Sequence, residues 1–380
     1  MKKILFLLVC VAGPALAQSP TFKIQVIDNQ IDIGYGLAIG DVDGDRKPDI
    51  LMADQKEIVW YRNPGSKTGE SWKRHVMASN LTPEDNVCIA ARDIDGDGKV
   101  EVAVGAGWNP AETNDTTKSG AVFYLIRPKD PTQTWEPVRL HHEVTTHRMK
   151  WAKVANNRYQ LIVVPLHGRG NKNGEGKGVK ILAYDFPKNQ RGPWKTSLVD
   201  STLHVTHNFE IWEDGPQTRM VIGSKEGGKI VAWRNGRWQD TGEWVGKGDG
   251  IGEIRRGKPN LVAAVEPMHG NKLVVYQSNP ITLTDKMNQG HAIVVEDFLR
   301  MGKDQIAVGW RNPNADKKIG VRLFVPQANG SWQEQVLDDS VMMACEDLQA
   351  ADLDGDGDLD LIASGRATLN VLVYWNQTIP

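Results

Sequence analysis

The chain has 380 residues, with 45 Lys and Arg against 47 Asp and Glu, for a net charge of -2. A balance this even, without a long basic run, leaves no electrostatic footprint for nucleic acid. Two cysteines beyond the leader, Cys88 and Cys345, are too few for a disulfide framework in a chain this long and are expected to be small buried residues.

At the start, Lys2 and Lys3 precede the apolar run Ile4 to Ala12 and the small residues Ala15-Leu16-Ala17. This is the pattern of an export signal, residues 1–17. The mature chain is expected to begin at Gln18 and to be periplasmic or secreted. The run is too short to span a membrane, and no later segment qualifies.

The next segment, Phe22 to Asp28, reads as a strand. A repeated unit then begins: strand, acidic turn, strand, short loop, strand. Its clearest copies are "YGLAIGDVDGDRKPDILMADQKEIVWYRNP", "CIAARDIDGDGKVEVAVGAG" and, at the end, "CEDLQAADLDGDGDLDLIASG" followed by "NVLVYWN". Four degenerate copies lie between. The turns are expected near Asp41, Asp93, Ala152, Glu213, Glu253, Asp297 and Asp352. A fourth strand, led by an aromatic residue, follows most copies, as in "SWKRHVM" and "SWQEQVLDD".

Four strands repeating every ~40–60 residues predict an all-β, seven-bladed β-propeller, a single domain over residues 18–380. The last copy lacks its fourth strand, and "FKIQVIDNQ" resembles what is missing. The N-terminal strand is therefore expected to complete the seventh blade and close the ring without an open edge.

Three turns keep alternating carboxylates: Asp41, Asp43, Asp45 and Asp49; Asp93, Asp95, Asp97 and Glu101; Asp352, Asp354, Asp356 and Asp360. Hard oxygen donors at this spacing suit Ca²⁺ in a structural role. The motifs resemble the FG-GAP or VCBS repeats of secreted propellers, a likeness specific for fold and poor for function.

The first strand of each unit runs toward the acidic turn and the second runs back, so the start of one and the end of the other share the opposite face. That face collects His147, Arg148, His167, Arg169, His207, His269, His291, Trp310, Arg311, Glu346 and Arg366, with Trp108 from the second unit. Five of the nine histidines occupy this one class of position. His207, His269, His291 and Glu346 are candidate ligands for one divalent metal, Zn²⁺ leading. His147 or His167 is the candidate base, with Arg148 and Arg169 beside them. Trp108, Trp310, Arg311 and Arg366 are candidates to hold a carbohydrate. The segment "GRGNKNGEGKG", Gly168 to Gly178, lacks phosphate-loop spacing and reads as a flexible loop beside the site.

The phrases "HRMKWA", "PLHGRGN", "VEPMHGN", "GHAIVVEDF", "GWRNPN" and "MACEDLQAADLDGDGDLDLIASGRATLNV" resemble the propeller domain of the aldos-2-ulose dehydratases. That likeness implies a metal-assisted carbon–oxygen lyase that dehydrates keto-sugars. A weaker likeness, on the His147 and His167 spacing, is to the seven-bladed ulvan lyases, which eliminate across a uronate. A non-catalytic propeller that binds glycan or protein is the alternative from a different class.

Overall fold

The computed structural model describes residues 21–378 except 66–69, 214–216, 259 and 338. The expected export signal lies outside them. Among the described residues there is no helix, and 28 strands form seven four-stranded antiparallel sheets. The seven-bladed propeller is confirmed.

The first strands of the seven blades are β2 (Gly36–Gly40), β6 (Cys88–Arg92), β10 (Thr146–Ala155), β14 (Thr206–Trp212), β18 (Ile254–Gly257), β22 (Gly290–Glu296) and β26 (Cys345–Ala351). Each touches the next, and β26 touches β2, so the ring closes around an axis. Second strands such as β7 (Glu101–Ala106) and β23 (Gln305–Trp310) are buried along their whole length, because neighbouring blades cover both faces. Their sequences are accordingly near-continuous apolar runs rather than alternating ones.

The core is divided among the seven blade interfaces. Trp60, Met77 and Val102 pack between blades one and two, and Trp375, Ile362 and Ile50 between blades seven and one. Trp60 and Trp72 are buried in the core, and Trp233 and Trp332 are packed partly buried against it. Cys88 and Cys345 are free and buried.

Closure occurs where the sequence places it. β1 (Phe22–Asp28) pairs antiparallel with β28 (Asn370–Asn376), from Phe22 opposite Asn376 to Asp28 opposite Val371. Trp375 Nε1 donates to Gln25 Oε1 at 2.8 Å across this seam.

Two turns are displaced from their expected places. The third blade turns at residues 156–157, because Ala152 is still paired within β10. The fifth blade turns after β18, which ends at Gly257, not near Glu253. Glu253 instead precedes β18 at the axis, because this copy has lost the Asp-x-Asp-Gly mark that locates the turn.

Candidate functional site

Four first strands skip register at an equivalent point. In β10 the pairing passes from Thr146 to Arg148, in β14 from Thr206 to Phe209, in β22 from Gly290 to Ala292 and in β26 from Cys345 to Asp347. The residues left over are His147, the pair His207-Asn208, His291 and Glu346. An extra residue in one strand re-aims a side chain out of the regular alternation. Here four such bulges place His147, His207, His291 and Glu346 at one end of the axis. His269 reaches the same place from a loop, with its backbone in the left-handed region at φ 53°.

The imidazoles converge. His207, His269 and His291 each offer a ring nitrogen, all within 4.8 Å of one another. His269 Nε2 lies 2.6 Å from His207 Nε2. The ring centres of His207 and His291, and of His269 and His291, are each 5.0 Å apart. His147 meets His207 edge to face at 4.6 Å and stacks on Trp108 at 5.0 Å.

Hydrogen bonds fix two tautomers. His291 Nδ1 faces the Glu346 carbonyl at 2.6 Å, and a carbonyl only accepts, so Nδ1 carries the proton. Its Nε2 then accepts from Arg311 Nη2 at 2.6 Å. His147 Nδ1 likewise faces the His207 carbonyl at 3.3 Å, which leaves Nε2 as the lone pair.

Burial, reinforced by Arg148 and Arg311, holds His207 and His291 well below the usual imidazole range. It does the same, with Arg148 alone of the two arginines, for His147, and pulls His269 down to about 2. These rings are neutral donors at neutral pH, as metal ligation requires.

Glu346 is not with the donor group. Both its oxygens are held by Arg311 at 2.6 Å, and Arg366 stands 3.5 Å from one of them. The carboxylate that backs the histidines is Glu253, whose Oε1 lies 2.9 Å from His207 Nδ1, out of line for a hydrogen bond. Asn208 Nδ2 donates to the other oxygen at 2.8 Å. A carboxylate behind a ligating imidazole is a common outer-shell arrangement around metals. By repeat spacing Glu253 falls at a turn, and no motif marks it as a site residue.

Other expected residues are elsewhere. Trp310 is 4% exposed, packed between blades five and six with Arg322 over its ring. Arg311, the residue after the strand, lines the mouth instead. His167 and Arg169 line a separate small cavity with Lys180 and Glu143, where Arg169 donates to Glu143 at 3.1 Å. They follow a second strand, one strand spacing further from the axis, and the structure does not bring them to His147. The Gly168–Gly178 segment is bonded to itself: Lys172 and Glu175 exchange backbone hydrogen bonds at 2.9 Å, and Asn171 donates to the His204 carbonyl.

The mouth of the site is a cavity of about 150 Å³ lined by Tyr35, Trp108, His147, Arg148, His207, His269, Arg311, Glu346 and Arg366. A larger cavity of about 350 Å³ lies along the axis, and Tyr35 and Arg148 border both.

At the opposite end the acidic turns share one frame. Gly44 and Arg46 donate to Asp41, Gly96 and Gly98 to Asp93, and Gly355 and Gly357 to Asp352. Asp49, Glu101 and Asp360 accept backbone N–H from Val42, Ile94 and Leu353, pinning each turn to its strand. The carboxylates that cluster are Asp41, Asp43 and Asp45; Asp93, Asp95 and Glu101; and Asp352, Asp354 and Asp356. Asp97 is turned aside to Lys99 and Arg127. Burial, with Asp43 and Asp45 adding to it, pushes Asp49 up to about 7.

Comparison with known proteins agrees with the fold. Residues 41–104 match the FG-GAP-like repeat and residues 89–125 the FG-GAP repeat. No curated protein matches the chain in sequence. Among solved structures, a streptogramin B lyase aligns over 96% of this chain and 100% of its own at 10% identity and TM-score 0.57. The WD40 propeller domain of Doa1 aligns over 94% and 97% at 10% identity and TM-score 0.55. YCF48 bound to D1 peptide aligns over 95% and 98% at 13% identity and TM-score 0.54. At such identities the likeness is one of fold alone, and what it identifies is a seven-bladed β-propeller carrying FG-GAP repeats.

Proposed function

We propose that the chain is a metal-assisted carbon–oxygen lyase acting on carbohydrate, a dehydratase or β-eliminating enzyme for keto-sugars. The observation that carries this reading is the convergence of three neutral imidazoles from three blades, His207 and His291 buried and His269 half-buried, beside a cavity that His207, His269 and a fourth, His147, line. The donor set fits a divalent metal such as Zn²⁺: three nitrogen ligands, a carboxylate behind one of them and space on the cavity side. His207 and His269 would hold it, with His291 joining through the Nε2 that accepts from Arg311 once that guanidinium moves aside, and it would supply Lewis-acid polarisation of a sugar carbonyl.

His147 keeps its Nε2 lone pair and takes the proton from the carbon beside the carbonyl. The electrons of that C–H bond form the new C=C bond as the neighbouring C–O bond breaks. Burial disfavours an imidazolium at His147, so the proton passes on to the departing oxygen. Arg148 steadies the negative charge that gathers on the carbonyl oxygen as the C–H bond breaks. The likeness of the His147, His269 and His291 stretches to the aldos-2-ulose dehydratases supports the same reaction type. The test is incubation of the metal-loaded protein with keto-sugars and uronate polymers, following unsaturated products by absorbance. Turnover lost in His147→Ala with metal content kept is the expected result. No product from any of them removes the reading in favour of a binding propeller.

For the opposite end we propose Ca²⁺ at the Asp41, Asp93 and Asp352 turns, as structural pins that relieve repulsion among clustered carboxylates. Chelation should then lower the melting temperature. An unchanged value after confirmed metal removal would contradict this.

The leader pattern supports export, and we propose a periplasmic or secreted location.

A further inference from the structure

We infer that Arg311 restrains metal binding at the histidine site, because its guanidinium holds the one lone pair that His291 can give a cation. This rests on, and deepens, the proposed metal-assisted reading. Arginine and metal compete for a single nitrogen, and the side chain of Arg311 sets how tightly the site binds.

His291 has no second nitrogen to offer. Its Nδ1–H is spent on the Glu346 carbonyl at 2.6 Å, and its Nε2 accepts from Arg311 Nη2 at 2.6 Å. A ligating imidazole gives its lone pair to the metal, so an N–H donor seated on that lone pair excludes ligation. The competition is also one of charge. A guanidinium does not lose its proton in proteins, and Arg311 is largely buried, so little water screens it from a cation at the same nitrogen.

The three imidazoles are therefore not equivalent. His207 and His269 face each other through Nε2 at 2.6 Å, and ligation there displaces only the proton between them. Ligation by His291 must also expel an arginine.

The surroundings of Arg311 allow that exchange. His291 and Glu346 are fixed by bulges in β22 and β26, whereas Arg311 follows β23 and borders the mouth. Its Nε and Nη2 donate to the two oxygens of Glu346, each at 2.6 Å. Arg366 stands 3.5 Å from the same carboxylate. Glu346 therefore keeps a cation beside it when Arg311 turns away, and no bare carboxylate is left behind.

The test is Zn²⁺ affinity of the full-length folded protein, by competition with a fluorescent chelator. The variants are Arg311→Leu, the double variant Arg311→Leu with Glu346→Gln, and the double variant Arg311→Leu with His291→Ala. Leucine neither donates to His291 nor ligates. Arg311→Leu should bind Zn²⁺ roughly tenfold tighter than the wild type, as removal of one nearby like charge implies. The Glu346→Gln double variant strands no charge and should keep the gain, and it decides the matter alone if the single variant does not fold. The His291→Ala double variant should lose the gain, since the arginine acts only through that ring. Either of the first two variants, folded by circular dichroism yet no tighter than the wild type, overturns the inference and leaves the metal site standing. So does a gain that survives His291→Ala. No Zn²⁺ bound by the wild type or any variant removes the metal reading itself, and the restraint with it.

Discussion

His207 Nε2 and His269 Nε2 are 2.6 Å apart although 62 residues separate them in the chain. Two bare lone pairs repel at that distance, so a proton or a cation must lie between the rings. Burial keeps both rings neutral, so one donates its Nε2–H to the lone pair of the other, and a bound metal would displace that proton. Glu253→Gln weakens the carboxylate behind His207 and should cost roughly 10–100-fold in Zn²⁺ affinity. His207→Ala should abolish stoichiometric binding. Competition with a fluorescent zinc chelator measures both, and unchanged affinity in both variants would refute the metal site.

The Arg311–Glu346 pair holds the other side of the mouth, with the two side chains 14% and 2% exposed. Glu346→Gln leaves a buried guanidinium without its charge partner. The expected loss is on the order of 3 kcal/mol in urea unfolding. Replacing both residues by glutamine should recover much of it, since no charge is then stranded. A silent single variant would show the pair to be incidental.

Arg46 stands where two sister turns have glycine. Its φ is 69°, and Gly98 and Gly357 at the equivalent position have 84° and 86°. A left-handed non-glycine residue costs about 1–2 kcal/mol, and glycine returns about 0.5–1 of that in unfolded-chain entropy. Arg46→Gly should therefore stabilise by about 0.5–1 kcal/mol, read as a higher melting temperature. A lower one would mean that the arginine side chain contributes more than its backbone costs.

The seam between β1 and β28 closes the ring. Removing residues 21–28 exposes the edge of β28 along its length and uncovers the core around Tyr374 and Leu372. Loss of soluble protein is the expected outcome in expression and size-exclusion trials. A truncated chain with an unchanged melting temperature would show that this strand is dispensable.

The fold was legible because its signals are local and repeated. The acidic turns mark strand pairs, and the gap after "NVLVYWN" is filled by "FKIQVIDNQ". The site was legible only in part. His147, His207, His269 and His291 were found because the topology assigns strand starts and ends to one face. The reading could not see radial depth, so it placed His167 and Arg169, which lie one strand further out, in the same site. Nor does the sequence mark that β23 ends at Trp310, buried as its last residue, with Arg311 beyond it at the mouth. The bulges that aim His147, His207, His291 and Glu346 are set by pairing register, which no residue type announces. Glu253 was hidden because its blade had lost the turn motif that fixes position.

The most direct test of the account is a matched assay of the wild-type protein and His207→Ala, each stripped of metal and then titrated with Zn²⁺, on a substrate shown to be turned over. Formation of the unsaturated product should rise with Zn²⁺ to one equivalent in the wild type and remain at background in the variant. Equal turnover by the metal-free wild type, or undiminished turnover by His207→Ala, would contradict it.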